Sequence, residues 1–169
     1  FIQRDDLQIT KFIKSQPIAI SYFYVFLGLE GTSEELDLPS YNIWDYPHGD
    51  YDKLIEEFSN DPLNAPMPLF IAFPSAKDDS WPERHPGKTT AVVLTLLPHK
   101  TFEKWNDTTF NRRGDEYNEF KQKIGERLLN EGLFKHYPNL KEKINFQCIG
   151  TPLTNKFYLG MEVGECLGV

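Results

Sequence analysis

Residue types able to do chemistry are present in this chain, but their spacing assembles few of them. His48, His85, His99 and His136 lie more than four residues apart, and no His-Glu-x-x-His occurs. They read as surface or turn histidines, with a metal site gathered from distant loops as the other option. His136 follows a long helical pattern, where a cation suits the negative end of the dipole. Cys148 and Cys166 are the only cysteines, which rules out a disulfide scaffold and a Cys-rich zinc site. A bridge between them stays open, but they read as two free thiols. No Gly-x-Ser-x-Gly elbow exists, and Asp78-Asp79 with Glu83 reads as a solvated loop. No catalytic residue and no metal ligand is therefore assigned.

The glycine patterns are equally sparing. Gly87-Lys88-Thr89 hints at a phosphate-binding loop, but that motif needs Gly where Pro82 stands, a strand before and a helix after. It reads as a turn leading into a strand. A dinucleotide Gly-x-Gly-x-x-Gly is missing. Gly160, Gly164 and Gly168 are spaced by four and fit either a close backbone approach to another chain or cofactor, or a hairpin. Asn106-Asp107-Thr108 matches a glycosylation acceptor, which has meaning only in a secretory compartment.

The elements that would position these residues are easier to read. Ile18 to Leu27 is β-branched and aromatic on both alternating faces, which predicts a central strand buried on both sides. Ser33 is placed to cap a short turn. Ser40–Asp45, Leu69–Phe73, Thr89–Leu97 and Ile144–Ile149 are further strands. Asp50 is placed to cap a helix over Tyr51–Phe58, with Leu54, Ile55 and Phe58 on one face. Ser75–Lys88 reads as a loop. From Asp115, Tyr117, Phe120, Ile124 and Leu128 recur at three and four residues, a helix ended by Gly132 and Pro138. Phe1 to Gln16 is weakly patterned. Mixed strands and helices predict an α+β fold, a sheet with helices packed on it.

Composition bounds the rest. At 169 residues the chain suits one domain or a piece of a longer protein, and the opening Phe1-Ile2-Gln3-Arg4 favours a piece. Aromatic residues make up 14%, enough to build a core or to line an apolar cavity. A net charge of −7 makes nucleic acid a poor partner, because phosphate would be repelled. No apolar run reaches the ~18 residues of a membrane span.

The string from Pro68-Leu-Phe-Ile-Ala-Phe-Pro-Ser-Ala-Lys to Asp78, then Trp81 and Glu83-Arg84-His85-Pro86-Gly87-Lys88-Thr89, resembles the retinol saturase branch of the phytoene-desaturase-like flavoproteins. Carotenoid isomerases share that group. The resemblance runs on through Phe102-Glu103-Lys104-Trp105, Arg113-Gly114-Asp115-Glu116-Tyr117, Gly150-Thr151-Pro152-Leu153-Thr154-Asn155, Phe157-Tyr158-Leu159 and Gly164-Glu165. It implies an inserted substrate domain, a mixed sheet with helices, over 18–150. It also implies a return segment over 151–169 towards an FAD-binding domain that this sequence does not include. FAD would then not be bound by this segment alone.

The chemistry implied is a flavin redox step on a conjugated polyene, by saturation or isomerisation of a double bond, near membranes of the endoplasmic reticulum or plastid. Thr154 and Tyr158 are the residues expected at the junction of substrate and flavin, unless 151–155 is a plain strand and turn. Phe23, Val25, Phe70 and Phe73 would line a tunnel or pack a core. The alternative function is a truncated, non-catalytic structural subunit of a larger assembly, with a partner covering 150–169. A stand-alone carrier of an apolar ligand is a third reading.

Overall fold

The computed structural model describes residues 7–15 and 20–165. In the segment expected to lack pattern, Ile9, Phe12 and Ile13 share one face of helix α1 (Gln8–Ser15), and all three are exposed. Strand β1 (Tyr22–Glu30) starts later than expected and runs through Gly28; residues 18 and 19 lie outside the described residues. In the following turn it is Thr32, not Ser33, whose hydroxyl accepts from the Glu35 amide at 3.1 Å. Strand β2 (Ile43–Asp45) is short. Asp50 caps α2 (Tyr51–Asn60) as expected, accepting from the Lys53 amide, and Leu54 and Phe58 are buried. Strand β3 (Leu69–Ala72) follows the proline-rich link.

The expected loop after β3 is partly helical. It holds a 3₁₀ turn (Pro74–Lys77) and α3 (Trp81–Arg84), each begun by a proline in its first turn. Gly87, at φ 67°, then turns the chain into β4 (Lys88–Leu96). The long helix α4 (Asp115–Arg127) is capped by Gly114 rather than Asp115; Asp115 and Glu116 occupy its first turn, where carboxylates suit the dipole. It continues as a π-helical turn (Leu128–Leu133) and the short α5 (Phe134–His136). Strand β5 (Ile144–Gly150) and helix α6 (Pro152–Leu159) complete the fold.

The strands order as β2-β3-β4-β1-β5, and each pairing is antiparallel. The α+β class is the one expected. Among the described residues, α2 and α4 bury their apolar positions on one face of the sheet. Phe23, Val25, Leu27 and Leu29 of β1 point into that core with Ile71, Val93, Ile124, Leu128 and Leu133. Two-sided burial of β1 is therefore corrected: Phe26, on its other face, is exposed. Helix α4 lies so close to the sheet that a Cβ at Gly125 would sit 2.6 Å from Ile149 Cδ1, so the glycine permits the approach. Phe102 is the hub of an aromatic cluster, with Phe23, Trp105, Tyr117 and Phe120 rings 5.5–6.2 Å away.

Polar ties fix the margins. Arg127 donates to the carbonyls of Pro62 (2.8 Å) and Ala65 (2.9 Å), holding the proline-rich link to α4. The Ser21 hydroxyl donates to the Gly164 carbonyl, and the Asn155 amide reaches Ser21 Oγ at 3.3 Å and the Tyr22 carbonyl at 3.4 Å. Gly164 has φ 69°, and a Cβ there would run into the Pro152 backbone. The close approach expected of the glycine series is thus made to the chain itself; Gly168 lies outside the described residues.

At the β2 edge, Asp45 accepts from Lys135 Nζ and His136 Nε2, both at 2.8 Å. Burial alone would raise the Asp45 carboxyl, but the hydrogen bonds from Lys135 and His136 outweigh it and hold it below its ordinary value. A depressed carboxylate stabilises above its unfolded pKa of about 3.9 and loses that contribution as pH falls through the folded value. Asp45→Asn is therefore expected to cost about 0.5–1 kcal/mol at pH 7, discounted for nearby solvent, and little in strong acid. Urea titrations at pH 7 and below pH 3 check this; an equal loss at both would overturn it.

Candidate functional site

Alternation along β1 sends Tyr22, Tyr24 and Phe26 to the face opposite the core. Cross-strand register extends this surface over the whole sheet. Trp44 pairs with Phe70, Phe70 with Leu94, Leu94 with Tyr24, and Tyr24 with Gly150, so one row crosses all five strands. Tyr24 stacks on Phe26 at 5.4 Å, and Trp44 meets Phe70 edge-on at 4.6 Å. Trp44 is 61% exposed, Phe146 59% and Phe26 41%. A hollow of about 70 Å³ opens between Tyr22, Trp44, Phe70 and Leu96.

An antiparallel sheet that faces water on one side normally turns polar there. This one stays aromatic, and a contiguous apolar patch of that kind marks a binding surface. It can hold a long, flat, apolar molecule by burial and stacking. Of the four candidate tunnel residues, only Phe70 lies on it. Phe23, Val25 and Phe73 are buried in the core, the second of the two roles expected for them. Tyr22, Tyr24, Phe26, Trp44 and Phe146 were not singled out for the role. The signal was the placing of hydroxyl-bearing rings at alternate positions of β1.

A second depression, about 680 Å³, lies between α4, β5 and α6, and both Thr154 and Tyr158 line it. The structure thus brings these two together, on a polar groove rather than on the aromatic row. Segment 151–155 begins a helix, which corrects the strand-and-turn reading. Thr151 caps α6, and the Thr154 hydroxyl accepts from the Thr151 amide at 3.1 Å. Thr151 Oγ1 is also 2.9 Å from the buried Tyr117 hydroxyl. The missed signal was Thr-Pro followed by a hydroxyl at the third helical position. Tyr158 is 68% exposed and packs edge-on against Phe110, which stacks on Phe157 at 4.0 Å.

Other candidates are tied down. His136 binds Asp45, and His99 Nε2 lies 3.2 Å from Asn106 Oδ1, which accepts from Lys156 Nζ at 2.7 Å. Asp78, expected in a solvated loop, accepts from Ser80 and Arg84, and these bonds lower its pKa, the Ser80 hydroxyl most. Cys148 is an exposed free thiol; Cys166 lies outside the described residues. Among the described residues no group of three or more His, Cys, Asp or Glu could hold a metal ion. A dinucleotide needs a parallel strand–turn–helix unit with its phosphates at the helix start. The described sheet pairs antiparallel throughout and lacks that unit.

No family model matches the chain. Among curated proteins it is similar to the all-trans-retinol 13,14-reductase of Danio rerio, 37% identical over 148 residues. It is 38% identical to that of Homo sapiens over 149 residues. Each match covers 85% of this chain and 24% of the relative, so the chain spans about a quarter of their length. A Danio rerio protein named inactive all-trans-retinol 13,14-reductase is 33% identical over 153 residues, 88% of this chain and 25% of that protein.

Proposed function

We propose, from the premise that this chain is a homologue of the retinol saturases, that it is the substrate-binding part of an FAD-dependent oxidoreductase acting on a conjugated polyene. A retinoid is the first choice, with reduction of a double bond as the reaction. The observation that carries this reading is the aromatic row on the face opposite the core, with Trp44, Phe26 and Phe146 exposed. Four strand spacings of about 4.8 Å make the Trp44-to-Gly150 row roughly 19 Å long, enough to support an extended polyene. Burial of its apolar surface supplies the affinity, at about 25 cal/mol per Å². Rings on the row hold the polyene flat.

In this proposal residues 18–150 bind substrate, and 151–169 lead back to an FAD-binding domain that covers them. Thr154 and Tyr158 then stand at the junction. The chemistry of reduction is the flavin's, and the residues described here orient the polyene and exclude water. Association with a membrane, where such substrates dissolve, belongs to the same proposal.

All-trans-retinol is expected to quench tryptophan fluorescence of the chain saturably. The quenching should fall in Trp44→Phe, because Trp44 lies on the aromatic face, nearest the bound ligand. Quenching that never saturates, or that survives Trp44→Phe undiminished, would sink the proposal.

A further inference from the structure

The two edges of the sheet are built differently. Edge strands invite pairing with another chain, and proteins blunt them with charge, proline, bulges or shortness. Strand β2 is so blunted: it has three residues, ends on Asp45 and is followed by Pro47. Strand β5, Ile-Asn-Phe-Gln-Cys-Ile-Gly, has seven residues with neither charge nor proline. Its one irregularity lies at its start, opposite Gly28/Leu29, and pairing with β1 is regular from Phe146 to Gly150. Asn145 to Cys148 are exposed.

The polar groove runs beside this unguarded strand, with Gln147, Cys148 and Ile149 as part of its lining. Among the described residues its charged lining is Arg113 and Lys121, with no carboxylate, in a chain with 25 acidic residues and 18 basic ones. Asn118 and Gln122 add amides that can donate. Arg113 is already spent on the carbonyls of Trp105 and Thr108, at 3.2 and 3.0 Å. Lys121 rests over the Tyr117 ring, 5.4 Å from its centre, and among the described residues makes no ion pair. A donor-rich wall with a cation that lacks an ion pair, beside a strand edge, fits an extended segment that brings backbone groups for β5 and a carboxylate for Lys121.

We propose that β5 receives a sixth strand, an extended acidic segment from the rest of the longer polypeptide whose length the relatives indicate. It rests on the chain being part of that longer protein and is independent of what the aromatic face binds. Amide hydrogen exchange at single-residue resolution tests it, on the protein at its natural length and without retinoid. The β5 amides that point away from β1 should exchange as slowly as those bonded to β1. Lys121→Glu should speed the outward amides about tenfold and leave the β1-facing ones unchanged. Outward amides that exchange at free-edge rates would overturn the proposal, as would indifference to Lys121→Glu. Protection that grows with protein concentration would make the occupant a second copy and overturn it too. Failed retinoid binding would leave these rates untouched.

Discussion

Phe26→Asp should remove saturable retinoid binding while the protein stays folded. Phe26 is at the middle of the aromatic face, opposite Val92 on one side and Cys148 on the other, with Tyr24 stacked beside it. Losing a ring that a ligand would bury costs about 1.5–3 kcal/mol. That is roughly 10- to 100-fold in affinity. A carboxylate left beneath an apolar ligand is worse still, because its lost hydration has no partner to replace it. Since the ring is already exposed, the fold should lose only about 1 kcal/mol, the span of strand propensity. Fluorescence titration and a thermal melt of the same variant separate the two effects. Unchanged affinity would mean that the polyene lies elsewhere.

Phe102→Ala should cost far more, about 3–5 kcal/mol, because a large buried ring is replaced by a cavity. Phe102 is fully buried and meets four aromatic rings from β1, α4 and its own 3₁₀ segment (His99–Trp105), so a collapse at one side opens a gap at another. A fall in Tm of roughly 6–20 °C is expected for a domain of this size. Phe146→Ala, at an exposed position, should stay within about 0.5 kcal/mol. Equal losses at the two positions would mean that the face beyond β1 is covered as firmly as the core.

Much of this fold was legible because its signals are local. Asp50 before an amphipathic stretch gave the start of α2, and the Tyr117–Ile124–Leu128 spacing gave α4. The strand runs were recognisable by their β-branched and aromatic content. What escaped was set by tertiary partners. A run apolar on both alternating faces looks buried on both, and only the sheet order shows that helices cover one of them. The same parity decides that Phe70 faces outward while Phe73 is buried, a choice that composition does not encode. Helix α6 was missed although Thr151-Pro152 carries its start signal, because the following residues lack a strong apolar stripe. The family resemblance in the sequence agreed with the relatives found, yet pointed to Thr154 and Tyr158 and gave no hint of the row across the sheet.

The bond between Ser21 and Gly164 has a mechanical consequence. It clasps the chain just before β1 to the chain just after α6, with Asn155 reaching across to both sides. Entry to β1 and exit from α6 are thereby held side by side, so a load that separates residues 21 and 164 meets these bonds before the pairing of β1 with its neighbours.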